Sequence, residues 1–131
     1  MLIKDAKGKY ELLIDAERFI VYEKDIGSWT KEDTIRLKDE YSHKILKVLS
    51  KKEWFKCVDL TEYNFSDIHQ DINEFTAWCV ENGLFGAIII VANEIIEMQM
   101  NISAIYSNIK FSPIIFKNER DAKNWLDSHW L

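Results

Sequence analysis

The densest run of side chains that could do chemistry is Asp59-Leu60-Thr61-Glu62-Tyr63-Asn64-Phe65-Ser66-Asp67-Ile68-His69. It joins a β-rich run to a helical pattern. In open α/β sheets, ligands bind beyond the carboxyl ends of parallel strands. A helix N-terminus adds unpaired N–H donors and a partial positive charge. Thr61, Tyr63, Ser66 and His69 are therefore the candidates for contacting a ligand or partner, and Ser66 could accept a phosphate. A capped turn explains the same residues more simply. Ser66 or Asp67 would cap the helix, Gln70 would stand three residues beyond Asp67, and Phe65 would act as a hydrophobic staple.

Other constellations carry less. Asp67, Asp71 and Glu74 fall on one helical face, yet nothing completes the oxygen shell a hard cation needs, so no metal site is expected. His43, His69 and His129 have no Ser or Cys at a signature spacing, and GxSxG, HExxH, GxGxxG and P-loop strings are absent from the sequence. Cys57 and Cys79 read as packing thiols. The expectation is a protein that is not an enzyme and uses no cofactor. Lys44, Lys47, Lys51, Lys52 and Lys56 gather near the end of the first expected helix, where cations suit the dipole.

The elements that must position these residues follow from periodicity. Residues 9–14 and 18–26 read as a hairpin around Asp15-Ala16-Glu17. A helix is expected over about 30–50, with Thr30 as cap, Asp33 in an imperfect capping box, and Leu37, Tyr41, Ile45 and Val48 as its buried stripe. Glu32–Arg36 and Glu40–Lys44 are i,i+4 pairs in the favourable order. A strand is expected at 54–60, a loop at Thr61–Ser66, and a second helix at about 67–82, ended by Gly83. Residues 86–92 form a continuous apolar run, as in a strand covered on both faces. A third helix (about 94–107), a strand (113–116) and a last helix (119–129) follow. The third helix carries Ile96 and Met100 on a different side from Ile95, Met98 and Ile102. They are candidates for a dimer patch, a partner surface or the wall of an apolar pocket.

This order, ββαβαβαβα, implies an α/β fold with one mixed, mostly parallel sheet packed with helices, in a single domain over 1–131. Lys and Arg total 17 against 22 Asp and Glu, a net charge of −5, which argues against a nucleic-acid partner. The longest apolar run, Leu84 to Ala92, is short of the roughly 20 residues needed to cross a bilayer. The early charges Lys4 and Asp5 are unlike a signal peptide. A cytoplasmic protein with reduced thiols is the expectation.

Several strings resemble the STAS-like, anti-sigma-factor-antagonist (SpoIIAA-like) family. They are Val58-Asp59-Leu60 with the loop after it, Glu81-Asn82-Gly83, the strand at 86–92, and Ala122-Lys-Asn-Trp125-Leu126. The resemblance spans roughly residues 9–126. It implies a regulatory or protein-interaction module with a protein partner or self-association, such as a homodimer. In phosphorylatable members, a Ser in an Asp-Ser-Ser-Gly-type string at the start of the second helix is the kinase target. Here Ile68 and His69 stand at the serine positions and Gln70 at the glycine, so the resemblance does not carry that switch over. It is closer to divergent stand-alone bacterial members. The alternative it leaves open is a binder or carrier of a small hydrophobic ligand or lipid.

Overall fold

The computed structural model describes residues 1–49, 53–64, 66–92 and 113–129. The third expected helix, with Ile96 and Met100, lies outside the described residues.

The hairpin forms from β2 (Tyr10–Asp15) and β3 (Ile20–Gly27), antiparallel, with Tyr10 opposite Asp25 and Asp15 opposite Ile20. The Asp15 carboxylate shapes the turn by accepting the Glu17 and Arg18 N–H groups, each at 3.1 Å. Phe19 sits there at φ +56°, a conformation costly for a residue with a Cβ. A strand that the sequence pattern did not announce, β1 (Leu2–Lys4), pairs antiparallel with β2. Three residues are too few to show a period. The order therefore opens βββ rather than ββ.

The remaining strands are β4 (Trp54–Tyr63), β5 (Leu84–Val91) and β6 (Ile114–Phe116). Junctions β3–β4, β4–β5 and β5–β6 are parallel, and the sheet order is β1-β2-β3-β4-β5-β6. The helices are α1 (Lys31–Glu40), α2 (Leu46–Leu49), α3 (His69–Glu81) and α4 (Glu119–His129). A π-helical segment, Tyr41–Ile45, connects α1 to α2. Its wider i→i+5 turn keeps Leu37, Tyr41, Ile45 and Leu49 buried at constant i+4 spacing. Val48, expected in that stripe, is turned out and exposed. The Thr30 N–H donates to the Asp33 carboxylate at 2.9 Å, the expected reciprocal cap. Arg36 does not pair with Glu32. Its fork takes both Asp5 oxygens, at 2.8 and 2.7 Å, and Asp33 at 2.8 Å, tying α1 to the β1–β2 turn.

Helices α1 and α3 cover one sheet face, and their core includes Leu12, Val21, Tyr41, Trp54, Phe75 and Ile89. On the other face Ile20, Phe55, Ile88 and Ile90 pack on Ala122 and Leu126 of α4. Residues Ile88 to Val91 are all buried, as expected for a strand covered on both sides.

Candidate functional site

Strand β4 runs three residues further than its apolar pattern. Ile26 pairs with Glu62 and Gly27 with Tyr63 after a register shift, and Asn64 N–H donates to Gly27 O at 3.0 Å. Thr61 and Tyr63 are therefore strand residues, not loop residues, because the end of β3 offers backbone partners to a polar stretch. Thr61 is exposed and donates its N–H and hydroxyl to Asp59 Oδ1, at 2.9 and 2.7 Å. Tyr63 is buried, its ring edge-on to Trp29 at 6.3 Å.

Ser66 is buried and structural. Its Oγ accepts the Trp29 N–H at 2.9 Å and donates to Asn64 O at 2.9 Å, joining the β3–α1 connection to the β4–α3 connection. Ile68, rather than Ser66 or Asp67, occupies the N-cap of α3 and makes no side-chain cap. His69 is the half-buried first residue of α3. Of the four candidates here, Tyr63 lines a cavity in the protein, and Thr61, Ser66 and His69 stand outside its wall.

That cavity, about 100 Å³, lies between the sheet and helices α1 and α3. Its apolar wall includes Trp29, Tyr63, Ile68 and Phe75, and its polar wall is Glu23, Asp25, Thr34, Lys56 and Thr76. Glu23 (4% exposed), Lys56 (6%) and Asp25 (8%) are charged side chains inside the core. Lys56 Nζ stands 3.0 Å from Glu23 Oε1 and 4.8 Å from the centres of the Tyr41 and Phe75 rings. Tyr41 OH donates to the same Glu23 oxygen at 2.6 Å.

The electrostatics follow from burial and neighbours. Desolvation pushes Glu23 up, but Lys56 and the hydrogen bonds from Asp25 and Tyr41 outweigh it, so its net shift is downward. Asp25 is raised well above the usual carboxylate range, by desolvation first and then by Glu23. Of the two carboxyls, Asp25 therefore holds a proton more tightly than Glu23. Desolvation pulls Lys56 down, yet Glu23 wins and the net shift is upward, so Lys56 stays charged. Burial pushes Cys57 up to about 11 and Cys79 up to about 12, so neither is a reactive thiolate at neutral pH.

Lys56 corrects the reading of the lysine group. Lys44 and Lys47 are exposed near the helix end, Lys51 and Lys52 lie outside the described residues, and Lys56 is buried in β4. The signal for this cluster was present in the sequence. Period two places Val21, Glu23 and Asp25 on one face of β3, and Trp54, Lys56 and Val58 on one face of β4. Those faces carry the core.

No family model matches the sequence, and no curated protein matches it. Among solved structures, an uncharacterized protein of the DUF3478 family with a SpoIIAA-like fold, from Shewanella loihica PV-4, superposes with a TM-score of 0.61. It shares 20% identity over 88% of this chain and 90% of its own. The anti-sigma factor antagonist SpoIIAA in its unphosphorylated form superposes at 0.59, with 11% identity over 90% of this chain and 97% of its own. The chain has a SpoIIAA-like, STAS-like fold. At these identities the likeness is one of architecture: a mixed α/β layout with a sheet flanked by helices. Among the described residues, no helix is long and apolar enough to cross a membrane.

Proposed function

We propose that this chain is a regulatory protein-interaction module, a single non-catalytic domain working in the cytoplasm, that docks a protein through the corner where β4 meets α3. One observation carries the reading. Ser66 fastens the corner to the backbone of Trp29, while Thr61, Glu62, Asn64 and Asp67 remain exposed around it. A pre-ordered surface loses little entropy on binding. The SpoIIAA-like fold supports an interaction role. Asp67 in that exposed set, with Gln70 and Glu74 exposed further along α3 and Glu62 shared with Lys24, fits a basic partner surface. Ile96 and Met100 are sequence-based candidates for a second contact or a homodimer surface.

The test is affinity capture with the purified protein, followed by titration of the captured partner against wild type and a Glu62→Lys/Asp67→Lys double variant. The expected result is a stoichiometric partner whose affinity falls at least tenfold in the variant and weakens with salt. Equal affinity for both proteins refutes the surface. A second reading, an apolar-ligand binder, draws on an open groove of about 240 Å³ on the α4 side of the sheet. Leu2 (58% exposed) and Leu13 (49%) line it beside Tyr22 and Ile90. A co-purifying lipid in native mass spectrometry would favour that reading.

A further inference from the structure

The cavity under α1 and α3 has an unbalanced inventory. Two carboxyl groups, Glu23 and Asp25, face one cation, Lys56, and that cation and the Tyr41 hydroxyl are both engaged by one Glu23 oxygen, which leaves Asp25 with no cation of its own. Asp25 Oδ1 and Thr34 Oγ1 are both buried, both belong to the cavity wall, and neither has a hydrogen-bond partner among the described residues. Buried polar atoms of this kind are rare and each costs about 1–3 kcal/mol. A compact cationic donor would satisfy both atoms and, by displacing the Asp25 proton, leave the cavity charges paired. The facing wall is aromatic, with Trp29, Tyr63 and Phe75, which suits an organic cation. A metal ion would need roughly six oxygens, and Asp25 and Thr34 offer too few. An anion would meet two carboxyls and a lysine already engaged by Glu23.

We propose that this cavity is a binding site for a small primary ammonium compound, a short alkylamine head, held between Asp25 and Thr34. Its N–H groups donate to Asp25 Oδ1 and Thr34 Oγ1, and its alkyl end packs toward Trp29, Tyr63 and Ile68. Since a cavity of about 150 Å³ holds benzene, one of this size holds roughly four heavy atoms. The site is separate from the exposed corner proposed for docking, so either reading can fail alone.

Uptake displaces a proton. The Asp25 O–H bond breaks, the proton leaves to solvent, and the incoming R–NH3+ pairs with the carboxylate. The groups facing Asp25 are Tyr10 of β2, Glu23 of β3, Lys56 and Tyr63 of β4, and Tyr41 of the π segment, and the charge of Asp59 acts on it from the other face of β4. From α1 the wall receives the Thr34 hydroxyl, and from α3 no ionisable group among the described residues. Tyr41 stays protonated, raised by burial and by Glu23, and Lys56 stays charged. Asp25 is thus the group that titrates against the ligand, and affinity rises with pH.

The experiment is a 15N–1H NMR titration of the full chain with n-propylammonium chloride, against potassium chloride at equal ionic strength. Wild type, Asp25→Asn and Thr34→Val are compared at two pH values. The expected result is saturable shifts at the Asp25, Trp29, Thr34 and Ile68 amides. Affinity should strengthen up to tenfold per pH unit where Asp25 is protonated, weaken at least tenfold in Asp25→Asn, and weaken several-fold in Thr34→Val. Thr34→Val leaves every charge in place and decides the matter if Asp25→Asn does not fold. Shifts that follow ionic strength without saturating, or undiminished binding in a folded variant, overturn the proposal.

Discussion

Replacing Lys56 by Met tests the buried cluster most directly. The side chain keeps an unbranched stem between the Tyr41 and Phe75 rings, so packing changes little, but the charge 3.0 Å from Glu23 disappears. Breaking a buried ion pair by removing one partner costs about 3–5 kcal/mol. A second route to the magnitude uses linkage. Without Lys56, Glu23 takes up a proton in the folded state. Against its unfolded value of 4.5, that costs about 1.4 kcal/mol per pH unit, or about 3 kcal/mol at pH 7. The two routes agree near 3 kcal/mol, a large part of the 5–15 kcal/mol typical of a domain.

The sign is fixed. In wild type Glu23 is depressed, so its stabilisation is present above pH 4.5 and lost as pH falls through its folded value. In Lys56→Met it is raised, so stability is fullest below 4.5 and lost as pH rises. Asp25 is raised in wild type and further raised in the variant, where Lys56 no longer lowers it, so the acid-side change in the deficit comes from Glu23. The deficit of the variant should therefore shrink from about 3 kcal/mol at pH 7 to about 1 at pH 5. Urea unfolding at both values measures it, and a Glu23→Gln/Lys56→Met double variant should show little pH dependence. A deficit below 1 kcal/mol at pH 7, or one equal at both pH values, would mean that water already solvates the pair and would refute the reasoning.

Two further outcomes follow from other parts of the fold. Hydrogen bonds from Arg36 hold Asp5 at about 2, against an ordinary 3.8, so their stabilisation is present above pH 3.8 and lost as pH falls through about 2. Arg36→Lys, which loses the fork, should return Asp5 toward its ordinary value in a carboxyl NMR titration. It should cost about 1 kcal/mol above pH 5, after screening, and nothing below pH 2. Gly86→Ala would place a Cβ 2.7 Å from Phe55 Cε2, on a ring stacked against Trp125 at 5.9 Å, which limits its retreat. A loss of about 1–3 kcal/mol in chemical unfolding is expected, and unchanged stability would show that the ring swings freely.

What the sequence made legible was whatever rests on period and punctuation. The run at 86–92 declares a strand covered on both faces because no residue in it tolerates water on either side. Thr30 with Asp33 declares a helix start because the cap is local chemistry. What stayed hidden depends on partners far along the chain. Thr61 to Tyr63 look like a loop until the end of β3 extends the ladder beside them. Ser66 looks like a cap or a phosphate acceptor until Trp29, 37 residues earlier, claims its oxygen. Val48 belongs to the α-helical stripe until a π turn, which no residue pattern announces, hands the position to Leu49.

The buried cluster was hidden for a different reason. A charged residue in a strand is ordinarily assigned to the solvent face, and Glu23, Asp25 and Lys56 are ordinary when taken singly. The alternation with Val21 on β3, and with Trp54 and Val58 on β4, already places them inward, so the two rules conflict. Consistency across levels is how sequences specify folds, and a local violation needs a compensating reason. Part of the compensation is internal, since Lys56 and Tyr41 satisfy Glu23. Asp25 bonds to Glu23, but its Oδ1 and Thr34 Oγ1 have no such partner among the described residues. An apolar pair in place of Glu23 and Lys56 would often be as stable or more so. Stability is therefore a weak reason for keeping these charges in the core, and the unsatisfied side of the cavity is where a functional reason would act.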